Sequence, residues 1–119
     1  MRAFRIDENT GEFGTIEVEP RLEEYYRLIG CECIDIVTRE VGGTGFNIVV
    51  DDEGLLRGGD VTAASLTTGE VLVGTILLFG IDDEGDLRPL TDTETNTIRT
   101  EMCVGIMGDG TMRNILSYR

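Results

Sequence analysis

Two runs rich in β-branched residues flank a glycine cluster between Cys31 and Leu56, and no other stretch restricts the fold so tightly. The first run reads C-E-C-I-D-I-V-T-R-E-V, the cluster G-G-T-G, and the second F-N-I-V-V-D-D-E-G-L-L. Branched side chains favour extended backbone and glycine supplies the reversal, so the composition is that of a β-hairpin. Cys33, Ile34, Ile36, Val37 and Val41 give the first arm its apolar surface, and Phe46, Ile48, Val49 and Val50 give it to the second. Neither arm alternates strictly, which predicts cover on part of both faces.

The flanking segments extend this frame. Residues 3–8 (A-F-R-I-D-E) and 14–19 (G-T-I-E-V-E) alternate apolar with charged positions and read as two half-buried strands, with a turn at Asn9 and Gly11. Pro20 opens a helix that Gly30 ends, with Glu23 and Glu24 in its first turn and Leu22, Tyr25, Tyr26, Leu28 and Ile29 on its apolar face. D-D-E-G closes the second hairpin arm as a turn, and residues 57–68 read as a loop with a short helical or strand piece. Glu70–Gly80, the most hydrophobic segment, reads as one central strand in which Gly74 marks a bulge or a close backbone approach. A second helix is expected over 92–103, with Thr91 and Glu94 in a reciprocal capping arrangement. The tail, with Met112, Ile115, Leu116 and Tyr118, fits an edge strand or a short helix equally. The sum is a single α+β domain: an antiparallel sheet of about five strands with two helices packed on it.

Absences narrow the chemistry. The chain of 119 residues has no histidine, lysine or tryptophan, and all ten of its cations are arginines. Imidazole bases and ligands, Schiff-base lysines and phosphate-loop lysines are therefore excluded. Twenty-three acids leave a net charge of −13, which argues against direct binding to nucleic acid or an anionic membrane. No apolar run approaches the roughly 20 residues that span a bilayer, and the first residues carry no secretory pattern. A cytoplasmic protein is expected. Cys31, Cys33 and Cys103 then read as reduced thiols. On a strand, Cys31 and Cys33 would share a face, but their spacing is not that of a zinc finger, and small packing residues are the simpler reading. No cofactor or metal is expected.

Three site readings follow. The acidic turns Asp51-Asp52-Glu53 and Asp82-Asp83-Glu84 with Asp86 fail the calcium-loop register: counted from Asp82 the sixth position is Leu87 and the twelfth Thr93, and counted from Asp83 the twelfth is Glu94 but the third and fifth are Gly85 and Leu87. Their carboxylates could instead present one acidic surface to a basic partner, in the manner of a DNA mimic. Alternatively, Arg39, Arg57 and Arg88 with the glycines of two loops (Gly42, Gly43 and Gly45; Gly58 and Gly59) could hold the phosphates of a nucleotide signal. A third reading, an enzyme working through Asp, Glu or Cys, has no spacing that singles out a pair.

The segments L-I-G-C-E-C-I-D-I-V (28–37), F-N-I-V-V-D-D-E-G-L-L (46–56), L-V-G-T-I-L-L-F-G (72–80) and G-D-L-R-P-L-T-D-T-E (85–94), in that order, resemble the domain-of-unknown-function family 3846. The likeness runs from about Ile16 to Ile98, and residues 104–119 read as a C-terminal extension beyond it. The resemblance implies a gene of phages, plasmids or conjugative elements and carries no catalytic residues across. Together with the absent catalytic side chains and the net charge of −13, it points to a non-enzymatic accessory protein that inhibits a bacterial host defence system by binding a host defence protein through the acidic surface. An unpaired edge strand would offer a route to a homodimer.

Overall fold

The computed structural model describes residues 1–119. Twelve elements follow one another: β1 (Arg2–Ile6), β2 (Phe13–Glu17), α1 (Leu22–Ile29), β3 (Ile34–Val41), β4 (Thr44–Asp51), β5 (Val61–Ser65), β6 (Val71–Val73), β7 (Ile76–Ile81), β8 (Leu87–Arg88), α2 (Asp92–Thr100), β9 (Met102–Ile106) and β10 (Met112–Tyr118). The fold is α+β. The main sheet runs β2-β1-β7-β4-β3 with β8 added to β7, and every pair in it is antiparallel. A second sheet, absent from the sequence reading, runs β6-β5-β10-β9 and contains one parallel pair, β5 with β10.

The hairpin forms as expected, though β3 starts at Ile34 rather than at Cys31. Gly42 and Gly43 make the two-residue reversal with φ of 57° and 85°, the left-handed conformations that such a turn demands. Along β4 and β7 the side chains alternate between two cores. Phe46, Ile48, Ile76 and Leu78 face the second sheet and α2, together with Ala63, Leu116 and Ile98. Val49, Leu77 and Phe79 face α1, where Tyr25 meets Phe79 edge-on with ring centroids 5.9 Å apart. The absence of strict alternation in the sequence thus has a physical cause: the central strands are covered on both sides.

Four boundaries differ from the sequence reading. The apolar run Glu70–Gly80 is not one strand but two, β6 and β7, in different sheets, with Gly74 at φ 89° carrying the chain between them. Uniform hydrophobicity hid the break, since both halves are buried. Helix α1 begins at Leu22 after an Arg21 cap, so Pro20 precedes it and does not occupy its first turn. Helix α2 ends at Thr100, and β9 takes over from Met102. The tail is a strand but not an edge one, since β10 has neighbours on both sides, while the stretch 57–68 does hold a short strand piece, β5, as expected. No helix is long and apolar enough to cross a membrane.

Candidate functional site

Register decides where the acids go. Ile48 pairs with Leu78, so Asp51 lies level with the start of β7, whereas Asp82 follows its far end beside Thr44. Seven strand steps of about 3.3 Å separate the two ends, roughly 23 Å. The two acidic turns therefore stand at opposite ends of the sheet and do not merge into one surface, which corrects the sequence reading that joined them. Each leading aspartate organises its own turn. Asp51 Oδ1 accepts the Glu53 N–H at 2.9 Å, and Asp82 Oδ1 accepts those of Glu84 and Asp86 at 2.9 and 2.8 Å. Asp83, Glu84 and Asp86 remain exposed at their own end.

Around Asp51–Glu53 the fold gathers further carboxylates that are distant in sequence. The pairing of Ile6 with Ile76 brings the turn after β1 to this end. There the Glu8 N–H donates to Thr75 Oγ1 at 3.1 Å, and Glu8 Oε2 accepts the Asp60 N–H at 3.0 Å. The Asp52 N–H donates to the Cys33 carbonyl at 3.1 Å, which seats Glu32 alongside. The result is a rim of Asp7, Glu8, Glu12, Glu32, Asp51, Asp52, Glu53 and Asp60. Two arginines enter it, and both are engaged: Arg57 lies 3.5 Å from Asp51, and Arg113 lies 3.1 Å from Asp60. Glu12, Glu32, Asp52 and Glu53 are exposed.

The rim is not uniformly polar. The turn after β4 holds Leu55 and Leu56 out to solvent, 71% and 89% exposed, over a cavity of about 320 Å³ floored by Val50, Leu72 and Val73. Two glycines allow the turn to lie this close to β6. A side chain at Gly54 would stand 2.9 Å from the Val73 carbonyl, and one at Gly59 would stand 2.8 Å from a Val73 methyl. Gly59 is thus required by the closeness of Val73, and Gly58, at φ 69°, serves the reversal. Asp51 and Asp52 border the same cavity, so the apolar tip has carboxylates beside it.

The arginines of the phosphate reading are dispersed. Arg39 grips Glu70 through two bonds of 2.9 and 3.1 Å. Arg88 grips Glu94 through bonds of 2.9 and 2.7 Å and gives two further donors to the Ile81 and Pro89 carbonyls. Arg57 reaches Asp51 and the Gly30 carbonyl. Gly42 and Gly43 border a cavity of about 330 Å³ that Glu40 and Glu101 also line, and Gly45 lies within β4 under an Ile81 methyl. The structure brings none of these arginines to either glycine turn as a free cation.

Cys31 and Cys33 precede β3 and do not share a face: Cys31 is buried in the core beneath α1, and Cys33 is exposed. Burial, with the Asp51 carboxylate second, raises the Cys31 pKa. Cys103 is exposed on β9, 3.2 Å from the Ser117 hydroxyl. Among the rim residues, Asp52 and Glu53 were legible as an acidic turn. Asp7, Glu8, Glu12, Glu32 and Asp60 had no local signal that would unite them.

Residues 1–102 match the family model described as Domain of unknown function (DUF3846). No curated protein and no solved structure matches the chain.

Proposed function

We propose that this chain, which belongs to the DUF3846 family, acts by docking its acidic rim on a basic surface of a protein partner and blocking it, with no chemistry of its own. A phage or mobile-element accessory protein that disarms a bacterial host defence protein is the role that fits. The observation that carries the reading is this acidic end of the sheet: eight carboxylates against two arginines already engaged, with Asp51 and Asp52 beside the exposed Leu55-Leu56 tip. Long-range attraction from such a rim speeds encounter with a basic partner, and the leucines supply apolar area to hold it. The absence of histidine and lysine supports a binding role over catalysis. Sequestration of a nucleotide signal has less support, because Arg39 and Arg88 have their guanidinium groups committed to carboxylates and carbonyls.

The test is affinity capture from bacterial lysate with three baits: the native chain, a rim variant (Glu12→Gln, Asp52→Asn, Glu53→Gln) and a tip variant (Leu55→Ser, Leu56→Ser). A basic host protein retained by the native chain and lost by both variants is the expected result. Capture of the same proteins by all three baits would overturn the reading.

A further inference from the structure

Five strands have a neighbour on one side only, and four are protected against pairing with another chain, β8 by having just two residues. Strand β2 carries Glu17 between Glu12 and Glu19, β3 carries Asp35, Arg39 and Glu40, and β6 has only three residues. Charge and shortness are the usual defences of an open edge. Strand β9 has neither. No charged residue occurs from Met102 to Gly108, in a chain whose net charge is −13. Val104 and Ile106 are 63% and 76% exposed, and Met112, which faces Ile106 across the hairpin, is 73% exposed.

The backbone shows which groups this edge offers. The Ser117 N–H donates to the Glu101 carbonyl at 3.1 Å, and the Met107 N–H donates to the Thr111 carbonyl at 2.7 Å. Odd-numbered positions therefore bond toward β10. By the alternation of an antiparallel ladder, Met102, Val104 and Ile106 turn their N–H and C=O groups outward.

We propose that β9 is the seam of a homodimer, pairing antiparallel with β9 of a second copy about a two-fold axis through Val104. The register is self-complementary. Val104 meets its own counterpart and Met102 meets Ile106, each as a pair that exchanges both backbone bonds, so the two four-stranded sheets join into one of eight strands. Side chains on one face then form a continuous apolar strip from Met112 of one copy to Met112 of the other. Asp60 lies level with Arg113 and hence with Gly105, so antiparallel pairing about Val104 sets the two acidic rims on opposite sides of the axis. A basic partner finds no charge to recognise on this edge, whereas a second copy brings the same apolar side chains and the same outward N–H and C=O groups to it. The seam does not depend on the proposed role of the rim, and it responds to salt in the opposite sense: screening eases repulsion between the copies.

Analytical ultracentrifugation of the full chain tests the seam. The expected mass is twice 13.1 kDa, with dimer content unchanged or raised by added salt. Val104→Pro removes an outward N–H that the fold does not use, as edge positions allow, and is expected to give a monomer with an unchanged circular dichroism spectrum. Ile106→Arg places like charges across the seam and is expected to give the same loss without touching the backbone. A native chain that stays monomeric up to about 1 mM, the weak end of specific association, overturns the proposal. So does a dimer that survives both substitutions.

Discussion

The Tyr118 hydroxyl donates to Glu70 Oε1 at 2.7 Å, and the same carboxylate holds Arg39 through two bonds. One carboxylate thereby ties β10 and the entry to β6, in the second sheet, to β3 in the first. Burial raises the tyrosine pKa, with Glu70 adding to the effect, so the hydroxyl stays a donor throughout the ordinary pH range. Tyr118→Phe removes the donor and leaves Glu70 with Arg39. The expected loss is about 1 kcal/mol of unfolding free energy by urea titration.

The tail carries more than this one bond. Strand β10 lies between β5 and β9, and Leu116 and Tyr118 are buried in the larger core. The family match ends at residue 102, yet a chain ending there would lose the middle of the second sheet. A 1–102 fragment is expected to show dispersed NMR signals no longer and to melt without a cooperative transition. A fragment that melts like the full chain would contradict the integrated role of β10.

Glu94 closes the capping box on Thr91 and also receives Arg88, and these bonds hold its pKa down to about 2 from the usual 4.5, Arg88 contributing most. The sign follows from the depressed folded-state value. The contribution is complete above pH 4.5 and is lost as pH falls through the folded pKa of about 2. Glu94→Gln is expected to cost about 2 kcal/mol at neutral pH and to flatten the acid limb of the stability profile. Gly80→Ala should act on the same pair, because its methyl would stand 2.5 Å from the Arg88 guanidinium.

The thiols should separate by rate. Cys33 and Cys103 are exposed, while Cys31 is buried with a raised pKa. Alkylation of the native chain with iodoacetamide at pH 8 is expected to label two cysteines quickly and Cys31 slowly, by mass spectrometry. Equal rates for all three would contradict the packing of Cys31 beneath α1.

What the sequence disclosed was local. The Gly42-Gly43 reversal, the Thr91–Glu94 capping box and the alternation of Phe4 and Ile6 with charge each fix their element from residues within a few positions. The second sheet was not legible, because β5 and β10 pair in parallel across some fifty residues and neither strand names its partner. The split of Glu70–Gly80 was half visible: Gly74 signalled an irregularity, but two buried strands in series look like one. The site divides the same way. Asp52 and Glu53 declare an acidic turn, whereas Glu8 and Asp60 reach it only through hydrogen bonds that the fold creates.

The rim as a docking surface is tested most directly by titration calorimetry of the captured partner against the native chain and the Glu12→Gln, Asp52→Asn, Glu53→Gln variant at low and moderate salt. The expected result is a Kd that weakens at least about tenfold as salt rises from about 50 to 300 mM, with the variant weaker at low salt and far less salt-dependent. Equal affinity of the two proteins, or a Kd indifferent to salt, would contradict it.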